Sequence, residues 1–236
     1  MIINIFKRIE KKYILDEKQF NEMQELINCY FEKNKYYYSE IRNIYFDNIN
    51  EDIINSCYEY NNYRFKYRIR SYNEIINDDD IIFLELKTKL NAISYKRRAI
   101  LTNIEYKNYI NLNVFPSKDI QIMKEIDYVI KSKKLHPNIY IAYDRFSYFC
   151  RENQNFRLTF DFNLRYRFND LELKDSVNDK TYFKNNYYIM EIKTDSALPI
   201  WFCDYLTSHK LYSESFSKIK KIYEKEKGKN KCLIVY

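Results

Sequence analysis

Lys66, Arg68 and Arg70 take every second position at the end of the stretch Tyr60 to Arg70, with Phe65, Tyr67 and Ile69 among and between them. A period of two belongs to a β-strand, so the cations share one face and the large apolar residues the other. The same division recurs along the chain. Glu85, Lys87 and Lys89 alternate with Leu84, Leu86 and Thr88; Arg157, Thr159 and Asp161 alternate with Leu158, Phe160 and Phe162; Glu191 and Lys193 alternate with Met190 and Ile192. Lys96 and Arg98 share a face, with Arg97 opposite, and Arg8, Glu10 and Lys12 share another. Arg offers forked donors and Lys a point charge, so such a face suits a chain of phosphoryl groups.

Several other chemistries are poorly supported. The single glycine, Gly228, removes the glycine-rich phosphate loop and the dinucleotide-binding turn, so a nucleotide would be held by side chains. His136 and His209 are the only histidines, which disfavours His-rich zinc sites and most His-dependent acid–base schemes. A metal, if used, is expected to be hard and oxygen-bound, Mg²⁺ or Mn²⁺. Cys29, Cys57, Cys150, Cys203 and Cys232 are odd in number and contain no CxxC pair, as expected for reduced cysteines of a cytoplasmic protein without a disulfide partner. No run of about 18 apolar residues is present, so the chain is not expected to span a membrane by itself. The net charge of +7, from 40 basic and 33 acidic residues, is moderate, and its placement says more than its sum.

The elements that would position these residues follow from periodicity and capping. Strands are expected at roughly residues 3–15, 41–48, 60–70, 81–89, 94–101, 138–151, 156–167 and 187–194. Asp16, with Gln19 three residues on, reads as a capping box for a helix to about residue 33, its stripe being Phe20, Met23, Ile27, Tyr30 and Phe31. Thr102 with Glu105 caps a short helix. Further helices are expected over residues 120–133, from Pro199 to about Ser208, and over 213–227. Residues 48–56 and 169–186 read as polar connections. Proline and glycine total only four, and no linker interrupts the chain, so one domain over residues 1–236 is expected, with a C-terminal tail from about 226.

Two α+β architectures accommodate this pattern. An open two-layer arrangement would leave the charged face in water. A closed antiparallel barrel of eight strands would turn it inward and cover its apolar outside with helices. The second is preferred because a sheet selected for solubility would mix its signs more evenly. A lumen lined by cations must then be hydrated or hold an anion, because unpaired buried charges cost several kcal/mol each.

The segments Arg8-Ile-Glu10-Lys-Lys12-Tyr13, Tyr45-Phe46-Asp47, Tyr67-Arg68-Ile-Arg70-Ser-Tyr72, Leu84-Glu85-Leu-Lys87, Tyr95-Lys96-Arg97-Arg98, Tyr143-Asp144-Arg145, Arg157-Leu-Thr-Phe-Asp161 and Met190-Glu191-Ile-Lys193 occur in this order. Together they resemble the VTC domain of vacuolar transporter chaperone-type polyphosphate polymerases, members of the triphosphate tunnel metalloenzymes, from about residue 5 to residue 224. The resemblance implies an eight-stranded tunnel that uses Mn²⁺ or Mg²⁺ to transfer the terminal phosphoryl of ATP onto inorganic polyphosphate. It implies Lys12, Arg68, Arg70, Lys87, Lys96, Arg145, Arg157 and Lys218 as phosphate ligands and Glu191 as the metal ligand. Alternation adds Glu10, Arg98 and Lys193 as substrate-facing candidates, and Glu85 and Asp161 as metal-facing ones or as partners that neutralise the lining. The family often shows two lysines three residues apart in its last helix; here Ser215 precedes Lys218. Regulation through a preceding phosphate-sensing SPX domain, found in some relatives, is not expected.

Two other activities compete with the polymerase. Tunnel hydrolases of inorganic or nucleoside triphosphates typically open with Glu-x-Glu-x-Lys, whereas this chain has Arg8 at the first of those positions and a second cation, Lys193, beside Glu191. A noncatalytic polyanion-binding module is the other. RNA is not expected as a partner, because the aromatic residues alternate onto the opposite side from the cations. The expected partners are ATP and inorganic polyphosphate. Release of product in the cytoplasm and its transfer to a membrane protein, which would hold the chain peripherally, both stay open.

Overall fold

The computed structural model describes residues 9–59, 63–90 and 93–228. Its nine strands and six helices follow the order β1 (Ile9–Asp16), α1 (Glu17–Tyr30), β2 (Phe31–Asp47), α2 (Asp52–Ser56), β3 (Tyr63–Ser71), β4 (Ile81–Leu90), β5 (Ile93–Thr102), α3 (Asn103–Leu112), α4 (Ile120–Lys133), β6 (His136–Cys150), β7 (Arg157–Arg167), β8 (Lys180–Thr181), β9 (Tyr187–Thr194), α5 (Ile200–Ser208) and α6 (Lys218–Lys227). Hydrogen bonding orders the strands β1-β9-β7-β6-β2-β3-β4-β5, with β8 on β7. The eight-stranded closed barrel is therefore corrected: among the described residues the sheet has nine strands and is open, its order ending on β1 and β5. Alternation fixes which face a side chain takes; it does not fix whether two edges meet. Arg8 and residues 60–62 lie outside the described residues.

The chain groups into two compact units. One comprises residues 1–40, 143–164 and 181–236, the other residues 41–142 and 165–180, so β2, β6 and β7 pass from one to the other.

In the first unit, β1 and β7 both pair antiparallel with β9, with Lys12 opposite Glu191 and Thr159 opposite Glu191. The apolar faces of these strands meet the α1 stripe as their alternation requires: Tyr13, Leu15, Phe160, Met190 and Ile192 are buried with Phe20, Met23 and Ile27. Phe20 stacks on Tyr188 at 3.8 Å and meets Phe160 edge-on at 5.0 Å. Each such fully buried aliphatic or aromatic side chain contributes about 1.5–3 kcal/mol. The capping box at Asp16 and Gln19 forms in both directions, which sets where β1 gives way to α1. That helix stops at Tyr30, three residues early, because Phe31 is already extended and opens β2. Helix α6 begins at Lys218 rather than at residue 213. The preceding segment runs beside β1, where Glu214 N donates to the Lys12 carbonyl at 2.8 Å.

In the second unit, β3, β4 and β5 bury Tyr67, Ile69, Leu84, Leu86, Ala99 and Leu101 against Tyr109 of α3 and Met123 and Ile126 of α4. Residues 52–56 form the short helix α2, whose backbone amides at Ile53 and Ile54 donate to the buried Asp47 carboxylate at 2.9 Å. The polar segment 169–180 is fixed by two buried arginines. Arg42 Nε and Nη2 make a two-pronged pair with Asp175 at 3.0 Å each. Arg167 donates to the carbonyls of Asp170, Glu172 and Lys174 and to the Asp179 carboxylate.

Candidate functional site: two cation–carboxylate clusters

The fourteen residues expected to face substrate or metal divide between the two units. Glu10, Lys12, Arg145, Arg157, Asp161, Glu191, Lys193 and Lys218 belong to the first, and Arg68, Arg70, Glu85, Lys87, Lys96 and Arg98 to the second.

The second unit's cluster is built by register. Arg68 of β3 stands opposite Glu85 of β4, which stands opposite Arg98 of β5. Glu85 is 1% exposed. Its Oε2 accepts from Arg68 Nε and Nη2 at 2.8 and 2.7 Å, and its Oε1 from Arg98 Nε at 2.7 Å. Lys96 Nζ adds a contact to Oε1 at 2.6 Å, and Arg70 Nε lies 4.0 Å from Oε2. Burial would raise the Glu85 pKa, but Arg68, Arg70 and Lys96 outweigh it and hold the carboxyl well below the usual range. Burial lowers the pKa of Lys96, helped by repulsion from Arg98 and Arg70 and opposed by Glu85.

Two uncharged residues of β2 orient this cluster and were not expected from sequence. Asn43, fully buried, accepts from Arg70 Nε at 2.8 Å while its own amide donates to the Ile141 carbonyl at 3.0 Å. Tyr45 Oη accepts from Arg68 Nη1 at 2.8 Å. Burial raises the Tyr45 pKa, but Arg68, Arg70 and Lys66 together bring it down to about 8. The signal was there in outline: Asn43, Tyr45 and Asp47 alternate with Ile44 and Phe46, yet two of the three carry no formal charge. Lys87, exposed, stands opposite Lys66 and Lys96 in register.

The first unit's cluster has two carboxylates. Asp161, fully buried, accepts from Arg145 Nε and Nη2 at 2.5 and 2.8 Å and from Lys218 Nζ at 2.5 Å. Lys218 Nζ also lies 4.2 Å from the Tyr143 ring centroid, a cation–π contact. Burial would raise the Asp161 pKa; Arg145 and Lys218 reverse the sign and keep it ionised. Glu191 is held differently: among the described residues its ion-pair partners are lysines. Lys193 Nζ lies 2.5 Å from Oε1 and Lys12 Nζ 4.0 Å from Oε2. Burial raises its pKa, and Lys193, Lys12 and Arg145 bring it down to about 2 against the opposing Asp161.

Around Glu191 the first unit places its remaining candidates. Lys12 Nζ also donates to the Phe216 carbonyl at 3.1 Å and lies 3.4 Å from Glu10. Arg157 is exposed and stands opposite Lys193 in register. Thr159, the register partner of Glu191 on β7, has a buried Oγ1 with no hydrogen-bond partner among the described residues.

A divalent cation would have to fit these donors. Among the described residues no group of three or more His, Cys, Asp or Glu side chains comes together, so there is no ready-made protein cage. Glu85 and Asp161 present oxygens already engaged by arginine and lysine. Glu191 fits the other mode open to Mg²⁺ and Mn²⁺, in which one or two carboxylates hold an ion whose remaining ligands are phosphate oxygens and water. Its Lys193 partner is a flexible side chain, 30% exposed, that can turn away.

An α+β protein with a large antiparallel sheet and ionised carboxylates held by many cations is what fold and site define. The family model for the VTC domain matches residues 7–224, and the chain belongs to the VTC-domain family. Solved structures similar to it include a Bacillus halodurans protein provisionally described as an adenylate cyclase, 15% identical over 92% of this chain and 97% of that one, with a TM-score of 0.57. Another is a Pyrococcus horikoshii protein, 12% identical over 93% of this chain and 99% of that one, with a TM-score of 0.49. At such identity the first likeness is one of fold. No curated protein sequence matches the chain.

Proposed function

We propose that this protein is a metal-dependent polyphosphate polymerase of the triphosphate tunnel metalloenzyme type, using ATP as donor and inorganic polyphosphate as acceptor and product. The observation that carries the reading is that the buried carboxylates are engaged by cations. Glu85 accepts from Arg68, Arg98 and Lys96, Asp161 from Arg145 and Lys218, and Glu191 lies against Lys193, so none is poised to take a proton from water. Hydrolysis needs a proton removed from water. Growth of a polyphosphate chain does not, because the attacking terminal oxygen is already an anion.

In the transfer step that oxygen bonds to the γ-phosphorus of ATP as the bond to the β–γ bridging oxygen breaks. ADP leaves with the electron pair, and the chain is longer by one phosphoryl. Such a reaction depends on positioning and charge neutralisation more than on covalent chemistry. Arg68, Arg70, Lys87 and Lys96 in one unit, and Lys12, Arg145, Arg157 and Lys218 in the other, would bind nonbridging phosphate oxygens. Glu10, Arg98 and Lys193 would contact substrate or neutralise the carboxylates beside them. Glu191 would hold Mn²⁺ or Mg²⁺, and Glu85 and Asp161, each within its own unit, would keep their cations aimed. The ion would withdraw charge from the transferred group. No helix among the described residues is long and apolar enough to cross a membrane. Product would stay in the cytoplasm or pass to a membrane partner.

The test is to supply ATP and Mn²⁺ to the purified protein and follow polymer and free phosphate together. Long-chain polyphosphate is expected. Free phosphate without polymer would assign the site to hydrolysis, and neither product would leave a binding module.

A further inference from the structure

The face that carries Glu85 turns from charged to apolar towards the end where β5 enters α3. Next to the row of Arg68, Glu85 and Arg98, the register sets Phe83 between Arg70 and Ile100, and beyond it Ile81 opposite Thr102. Ile81, Phe83 and Ile100 share the parity of Glu85 and Arg98, so they point away from the side where Ile82, Leu84, Ala99 and Leu101 are buried with the helices. Ile81 and Ile100 are exposed and Phe83 is half-buried. Tyr72 meets the Phe83 ring edge-on, its centroid 5.3 Å away, and the Arg98 guanidinium carbon lies 4.7 Å from the Phe83 centroid. The hydrogen bonds of Arg98 go to Glu85 and the Tyr72 hydroxyl, in the plane of the guanidinium, which leaves its flat face for stacking. The Arg98 side chain is 31% exposed.

A small apolar patch bordered by guanidinium groups fits a ligand whose flat ring and anionic chain are joined end to end. A protein partner would bury roughly 800 Å² on this side, more than one aromatic and two aliphatic side chains supply. Inorganic phosphate has no carbon to place there. A nucleoside triphosphate has: bases stack on aromatic rings and on arginine planes. With a base on Phe83, the phosphates fall in the next rows of the same face, about 6.6–6.8 Å apart, where Arg68, Arg98 and then Lys96 stand. One ring accommodates one base, whereas a strand of RNA calls for a succession of platforms.

We infer that Phe83 and Ile100, with Tyr72 and Arg98 at their border, form the platform for the base of a nucleoside triphosphate, which fixes the direction of the phosphates from Arg98 towards Lys96. This inference rests on the reading of ATP as the donor, and its test reads binding rather than turnover. The affinities of full-length protein for ATP and for inorganic triphosphate are measured by calorimetry without divalent metal, to suppress turnover. Phe83→Leu, which keeps an apolar side chain and removes the ring, is expected to weaken ATP binding about tenfold and to leave triphosphate binding within about twofold of the wild type. Phe83→Tyr keeps the ring and should keep the affinity for ATP. Ile100→Ala, on an exposed side chain, should cost about threefold for ATP alone and serves if Phe83→Leu unfolds early. Equal losses for ATP and triphosphate, or no loss for either, would overturn the inference, and so would a change in self-association on Ile100→Ala with ATP binding unaltered. An ATP-selective loss in a protein that makes no polymer would keep the platform and refute the polymerase; polymer made from ATP without that selectivity would do the reverse.

Discussion

Glu85 and Glu191 are both buried glutamates on the charged face of a strand, and their surroundings differ in kind. Glu85 is gripped by two arginines and a lysine, with both oxygens taken. Glu191 has two lysines, one of them 4.0 Å away. Guanidinium forks fix a carboxylate and are fixed by it, whereas an ammonium on a flexible stem can leave without breaking a planar array. Asp161 sits with Glu85 in this respect, since Arg145 binds it through two nitrogens. The difference separates a carboxylate that aims cations from one that is available to a metal.

Substitutions can break that comparison. Glu191→Gln should lower turnover by about 10²–10³ with a smaller loss of stability than Asp161→Asn, as expected for loss of one electrostatic contact to the reacting group. Asp161→Asn should act through the fold, because it leaves Arg145 and Lys218 without their buried partner; a loss of about 3–5 kcal/mol by denaturant titration is expected. Glu85→Gln removes the same kind of partner from cations 22–45% exposed, so solvent screening reduces the loss to about 1–3 kcal/mol. Equal stability losses for Glu191→Gln and Asp161→Asn would erase the distinction.

Proton linkage sharpens it further. Glu85, Asp161 and Glu191 all have folded pKa values depressed below their unfolded ones. Their contribution is therefore complete above the unfolded value and is lost as pH falls through the folded one. For Glu191 that window runs from about 4.5 down to about 2. Acid unfolding of Asp161→Asn should be less steep than that of the wild type over the carboxylate range. The smallest effect belongs to Tyr45. Lowered to about 8, its phenol adds stability as pH rises from about 8 towards 10, and the resulting phenolate would compete with phosphate for Arg68. Tyr45→Phe should flatten both trends, read by thermal melts and by the KM for ATP across that range.

What could be read from the sequence was the parity of each charged strand. Arg68, Glu85 and Arg98 were assigned to one face by alternation alone, and the register puts them in one row. Helix α1 was legible because its capping box and a 3.6-residue stripe coincide, α3 from the capping box of Thr102 and Glu105, and α4 from its apolar spacing alone, since Asp119 makes no side-chain cap. The first half of β2 was not, since residues 32–40 are mostly exposed and carry no alternation of apolar and polar residues. Ordering of residues 169–180 was equally hidden, because Arg42 lies 133 residues from the Asp175 that it binds. Asn43 and Tyr45 were missed because a search for charge passes over neutral groups that orient it. Alternation also placed Glu10 and Lys193 beside Glu191 without revealing that Lys193 lies against it.

The central claim is best tested by comparing Glu191→Gln and Glu85→Gln with the wild type, under ATP and Mn²⁺, for radiolabel carried from the γ-phosphate into polymer. The account predicts a polyphosphate ladder from the wild type, none from a Glu191→Gln protein that stays folded at the assay temperature, and a weakened ladder from a destabilised Glu85→Gln. An undiminished ladder from Glu191→Gln, or label released from the wild type only as free phosphate, would contradict it.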